Sequence, residues 1–94
     1  MIDYINGQLV ISKAGRDKDE FLVILGSAGD HVFLADGKRR KVEKPKSKKK
    51  KHVAVTNHID KTLLNKLNEN QKVSNSDVRR AIEEYARGYQ LGKE

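Results

Sequence analysis

Residues 8–35 read QLVISKAGRDKDEFLVILGSAGDHVFLA, in which three short apolar runs alternate with polar stretches. The runs at residues 9–11, 21–25 and 31–35 are rich in β-branched and aromatic residues, which favour β-strands. Glycine and aspartate in the intervening stretches favour turns, and residues 26–30 have the composition of a hairpin turn. This spacing of short strands and turns is typical of a small β-barrel or sandwich.

The second run is apolar on both faces of the predicted strand. Alternate side chains of a strand point to opposite sides, so Val23 and Leu25 share one face while Leu22 and Ile24 share the other. One face is expected to line the interior of the barrel. The face of Leu22 and Ile24 is expected to need an outer cover, and truncation after Asn57 should expose it.

Downstream of these strands the chain becomes strongly basic. The dipeptide Asp36-Gly37 predicts a tight turn into a fourth strand at residues 38–42. Pro45 then opens a run, residues 46–51, in which repulsion between lysines predicts an arm or an exposed loop. Residues 53–55 offer a short closing strand.

The charge of the protein is concentrated in this region. Residues 38–52 contain ten Lys/Arg and one acid, a local balance of +9. Subtracted from the formal net charge of +7, this leaves −2 for the rest of the chain. A nearly neutral body with one cationic segment is the electrostatic pattern expected for a polyanion partner.

The C-terminal third changes to a helical period. Ile59, Leu63 and Leu67 form a first apolar stripe. A second helix is predicted to begin at Ser74 or Ser76, both good N-caps, and to end near Gly88. Its apolar face would be formed by Val78, Ile82, Tyr85, Ala86 and Tyr89. Helices with one such stripe are marginal alone, so we expect both to pack on the sheet.

Composition excludes several classes of function. The 94 residues suffice for one hydrophobic core and include no cysteine, which removes disulfides and thiolate zinc sites. The three histidines are scattered, and the sequence contains no convincing catalytic grouping. We therefore expect no metal site, no cofactor, no enzymatic activity and no small-molecule substrate. The longest apolar run is too short to cross a membrane, and the N-terminus lacks the pattern of a secretory signal. A cytoplasmic protein with no membrane partner is expected.

Residues 7–24, with Ser-Lys-Ala-Gly-Arg-Asp at positions 12–17, resemble the KOW motif, a strand-loop-strand element with a glycine in its loop. The variant is similar to that of KOW-containing large-subunit ribosomal proteins and their small bacterial relatives. The resemblance continues through residues 35–42, 44–52 and 74–82. It implies an SH3-like β-barrel whose loops contact RNA in a ribosomal setting. One departure is Asp19, where the family often has a second glycine; aspartate tolerates the left-handed conformation better than most residues.

The resemblance and the charge together predict an organisation and a set of contacts. Residues 1–56 would form the KOW/SH3-like barrel, including a basic arm at 38–52, and residues 57–94 a helical extension of two short helices. Gly15 permits a tight loop that presents its neighbouring cations together. The residues expected to contact RNA are Lys13, Gly15, Arg16, Lys18, Lys38, Arg39, Arg40, Lys41, Lys44, Lys46, Lys48, Lys49, Lys50 and Lys51.

Two functions follow from the sequence. The first is binding to structured RNA, in particular ribosomal RNA or the ribosome, through the Gly15 loop and the lysine-rich segment. The second is a protein-interaction module of the translation or transcription machinery, because SH3-like barrels also bind peptides. The basic charge favours RNA over protein.

Overall fold

A computed structural model describes the backbone of residues 2–92 and the side chains of residues 2–88. Five strands form one antiparallel sheet in the order β4-β3-β2-β1-β5. Two helices follow the strands, so the predicted class of mainly β with an α extension is confirmed. The elements are β1 (Gln8–Ser12), β2 (Phe21–Ala28), β3 (His31–Ala35), β4 (Lys46–Lys49), β5 (Val53–Ile59), α1 (Lys61–Asn68) and α2 (Asn75–Gly92).

The two edge strands of the sheet are consecutive in the chain. A single 3₁₀ turn, Lys50–His52, joins β4 to β5. Within residues 2–92, β4 pairs only with β3 and β5 only with β1, so the sheet is open between its edges. The strand predicted at residues 53–55 exists but continues to Ile59, so the expected place of Ile59 in the first helical stripe is wrong. The turn predicted at residues 26–30 is shorter, because β2 continues to Ala28.

The fourth strand was predicted in the wrong place. Residues 38–42 form no strand; instead the Asp36 carboxylate accepts hydrogen bonds from the backbone N–H groups of Lys38 (2.8 Å) and Arg40 (2.9 Å). These bonds hold the chain in a turn, as aspartate side chains commonly do. The strand lies in the lysine run itself, where Lys48 pairs with Val32 of β3. The expected exposed arm at residues 46–51 is therefore an edge strand and a 3₁₀ turn.

The sheet carries a separate apolar cluster on each face. One, packed against the helices, contains Leu9, Val23 and Ala35 from the sheet. The helices supply Leu63, Val78 and Ala81 to this cluster, and the segment between them supplies Val73; Leu67, Ile82 and Tyr85 lie at its margin. The other cluster contains Val10, Leu22, Ile24, Val32, Leu34 and Val53.

The expected assignment of the faces of β2 is therefore reversed. The helices cover Val23 and Leu25, whereas Leu22 and Ile24 belong to the cluster on the opposite face. Alternation along a strand separates two faces without saying which of them a later segment covers. Packing of the helices on the sheet is confirmed.

Both helices begin at side-chain caps. The Asp60 carboxylate accepts from the Leu63 N–H of α1 (3.0 Å), and Ser74 and Asp77 exchange side-chain to backbone bonds (3.0 and 3.1 Å) at the start of α2. This reciprocal cap confirms the predicted start. The predicted stop at Gly88 is wrong, because α2 runs for 18 residues to Gly92. The side chain of Tyr89 lies outside those described. Neither helix, over the described residues, has the apolar length that a bilayer span requires.

Candidate nucleic-acid interface

The loop between β1 and β2, residues 13–20, is closed by backbone hydrogen bonds at its base. The Asp19 N–H donates to the Ser12 carbonyl (2.8 Å), and the Ser12 N–H donates to the Glu20 carbonyl (3.0 Å). Gly15 has a φ of +90° and Asp19 a φ of +71°, so both adopt a backbone conformation that most L residues avoid. Asp19, which stands where the KOW motif often has a second glycine, thus adopts the left-handed conformation that aspartate tolerates better than most residues. Lys13, Arg16 and Lys18, which this loop carries, are exposed.

A buried ion pair ties this loop to the edge strand β4. The Lys48 ammonium donates to Asp17 Oδ1 (2.6 Å), to Ser12 Oγ (2.7 Å) and to the Ala14 carbonyl (2.8 Å). The Ser12 hydroxyl in turn lies 2.8 Å from Asp17 Oδ1. The side chains of Lys48 and Asp17 are only 8% and 10% exposed. The Lys48 ammonium thus donates its three hydrogen bonds within the protein, and these bonds hold the loop against β4. We therefore remove Lys48 from the set of proposed RNA contacts.

The same contacts decide the charge state of Asp17. Burial works to raise its pKa, but the hydrogen bonds from Lys48 and Ser12, together with the Lys48 charge, outweigh burial and lower the pKa below the ordinary value. Asp17 is thus ionised at neutral pH and its charge is matched by Lys48. Its second oxygen, Oδ2, is buried without a hydrogen-bond partner among the described residues. The buried Asp17 carboxylate is therefore stabilised at Oδ1 alone, by the hydrogen bonds from Lys48 and Ser12.

The basic segment after β3 is held by the N-terminal part of α2. The Arg79 guanidinium donates to the Gly37 carbonyl (2.6 Å). Asn75 accepts from the Val42 N–H (2.8 Å) and donates to the Glu43 carboxylate (2.9 Å). The helix therefore positions the turn that carries Lys38–Lys41. No local pattern indicated this role of Asn75 and Arg79, because the segment that they hold lies more than 30 positions away along the chain.

Five of the predicted RNA contacts, Gly15 and Lys48 among them, line one concave pocket of about 490 Å³. Arg16 of the Gly15 loop, Arg40 of the turn and Lys46 of β4 line it, and the Asp17–Lys48 pair contributes to the same lining. His52 is also there and was not predicted, since a lone histidine beside a lysine run has no distinctive spacing. An adjoining depression is lined by Arg39, Arg40, Lys41, Lys44, Pro45, Lys46 and Ser47.

These two concavities share Arg40 and Lys46 and form a continuous basic surface. We call it the basic face and define it by Arg16, Arg39, Arg40, Lys41, Lys44, Lys46 and His52. Within the described part of the chain, its cations make no ion pair within 4 Å. Glu20 and Asp36 border it at a smaller pocket shared with Arg16, Arg39 and Arg40. The basic face can therefore offer its charges to an external anion.

The remaining predicted contacts lie outside this face. Lys38 lines a different pocket, together with the acids Asp19, Glu20, Asp36 and Glu83. Lys49 and Lys51 are exposed on β4 and on the following turn. The Lys50 ammonium lies 5.0 Å from the centre of the Tyr4 ring, a cation–π distance. The lysines of residues 46–51 therefore do not form one surface: they lie in several different environments.

The described residues contain no group of three or more His, Cys, Asp or Glu side chains arranged to hold a metal ion. No protein-family model matches the sequence, and no curated protein is significantly similar to it.

Proposed function

We propose that this protein is a cytoplasmic RNA-binding protein of the KOW type that contacts structured RNA, ribosomal RNA above all, through the Gly15 loop and the basic face. The observation that carries the proposal is the convergence of Arg16, Arg40 and Lys46, from three separate segments, around one pocket. None of these three side chains makes an ion pair within 4 Å with a described residue. Arginines at such a surface can bind phosphates bidentately and stack on bases. Lys41 and Lys44 add attraction that is independent of sequence.

An SH3-like barrel is proposed as the architecture. Support comes from the strand order β4-β3-β2-β1-β5 and from the 3₁₀ turn that brings the edge strands together in the chain. The Lys48 ammonium supports it further, because its bonds to Ser12 and Asp17 link β4 to the end of β1 and to the loop after it, although β4 and β1 do not pair in the sheet. The helical extension in this proposal acts as a support for the basic turn.

Salt dependence of RNA binding tests the electrostatic part of the proposal. If the basic face neutralises about six phosphates, the slope of log affinity against log salt on single-stranded RNA is expected to be near −4. Removing the exposed Lys41 and Lys44 together should reduce the slope by about 1.4, because each lost phosphate contact removes about 0.7. Fluorescence anisotropy over a range of NaCl concentrations measures both values.

The matched control is the double variant Lys61→Ala/Arg87→Ala. It removes the same charge from exposed positions on the two helices. The control should keep the wild-type slope. Equal slopes for the two double variants would show that net charge, and not the basic face, attracts the RNA.

A further inference from the structure

The pocket between the Gly15 loop and Arg40 has a shape that limits what can bind in it. We propose that it accepts a single unpaired nucleotide projecting from a structured RNA. This inference rests on the proposed RNA binding and adds the kind of RNA element that the site selects.

The first relevant feature of the pocket is the charge of its lining. Among the described residues, Asp17 is the one carboxylate in the pocket lining, and its charge is matched by Lys48 at 2.6 Å. Arg16, Arg40 and Lys46 have no ion-pair partner within 4 Å among the described residues. The lining therefore has a net positive charge, and its ligand is expected to be an anion.

The second relevant feature is the size and concave shape of the pocket. A volume of about 490 Å³ lies within the range of roughly 300–1,000 Å³ that small-molecule sites occupy. An isolated phosphate is much smaller than this volume. An A-form duplex cannot enter a concave site, because its bases are stacked inside and its phosphates lie along a broad surface. A nucleotide outside the stack brings a phosphate together with a base, which is how sequence-specific RNA recognition usually occurs.

The third relevant feature is the chemistry of the side chains that line the pocket. Arg16 and Arg40 offer planar guanidinium groups, and His52 offers an imidazole ring, all of which can stack on a base. Lys46 supplies a point charge for the phosphate. The Asp17–Lys48 pair holds the loop in place before any ligand arrives, so little ordering is required on binding.

The test compares two RNA hairpins with the same stem, one fully paired and one with a single-nucleotide bulge. The wild-type protein is expected to bind the bulged hairpin about tenfold more tightly, within the range that stacking of one base supplies. Arg40→Met should remove most of this preference. Arg39→Met is the matched control, because Arg39 lies in the same turn but does not line the pocket. Arg39→Met should lower the affinity for both hairpins by similar factors and so keep the preference for the bulged hairpin.

Lys46→Met provides a second pocket variant should Arg40→Met fail to fold, as checked by circular dichroism. Tight but equal binding of the two hairpins by the wild-type protein would overturn the nucleotide pocket and leave the proposed function standing. A preference that survives in both pocket variants would also overturn it. Binding to neither hairpin at low salt would contradict the proposed function itself.

Discussion

Replacing Lys48 by methionine is expected to lower the free energy of unfolding by about 3–5 kcal/mol at neutral pH, the usual cost of leaving one partner of a buried ion pair uncompensated. The reason is that Asp17 would keep its charge while losing its shortest hydrogen bond, at a position only 10% exposed. Urea denaturation followed by circular dichroism measures the change.

Two further variants distinguish the buried pair from a general effect of charge. Lys49→Met removes the adjacent, exposed lysine of the same strand and should change stability by less than about 0.5 kcal/mol. Asp17→Asn/Lys48→Met removes both charges and should recover part of the loss, because no uncompensated carboxylate remains. If Lys48→Met were as stable as Lys49→Met, the Asp17–Lys48 pair would not stabilise the loop.

The pH dependence of this effect has a definite sign. The pKa of Asp17 is lower in the folded protein than in the unfolded chain, so its contribution to stability is present above about pH 4 and is lost as pH falls through the folded pKa. In Lys48→Met, burial without the cation would raise the pKa of Asp17 instead. The difference in stability between the wild-type protein and Lys48→Met should therefore become smaller as the solution is acidified.

Gly37→Ala is expected to destabilise the protein by about 2–5 kcal/mol, the sum of a left-handed backbone cost and an overpacking cost. Gly37 has a φ of +79°, and a Cβ atom there would lie 2.5 Å from the Asn75 carbonyl oxygen and 2.8 Å from Arg79 Cγ. The turn must therefore move away from α2. Thermal and urea denaturation measure the loss, and RNA affinity should fall with it because the same turn carries Arg39 and Arg40.

Gly29→Ala is the matched control for this substitution. Gly29 also has a positive φ, +59°, but no atom lies within 4 Å of a Cβ built there. It should therefore show only the conformational cost, roughly 1–2 kcal/mol. Equal losses in the two variants would mean that close packing of the turn on α2 contributes nothing to stability.

Local sequence patterns predicted those parts of the fold that local forces determine. The three apolar runs of residues 8–35 became strands, Asp19 took the left-handed conformation, and Ser74 capped α2. Each of these features depends on residues within a few positions along the chain. The two clusters on the sheet also followed from the apolar character of both faces of β2, although the faces were exchanged.

The errors arose where distant residues decide the structure. Repulsion within the lysine run predicted an exposed arm, but Asp17, 31 positions away, gives Lys48 a buried partner and β3 gives the run a strand to pair with. A strand was predicted at residues 38–42 because the segment follows the Asp36-Gly37 turn. The Asp36 carboxylate instead holds a turn there, and Asn75, 33 positions away, secures it by accepting from the Val42 N–H. For the same reason the sequence did not indicate which of the basic residues share a pocket.

Crosslinking of the full-length protein to RNA in cells, with a ribonuclease-treated control and mass spectrometry of the crosslinked peptides, tests RNA binding by the basic face most directly. We predict nucleotide adducts on peptides that contain Arg16 and on peptides from residues 38–47. The RNA recovered with the protein should be ribosomal RNA. Ribonuclease treatment before crosslinking should abolish the adducts. Failure to recover any RNA, or adducts confined to α1 and α2, would contradict the proposal.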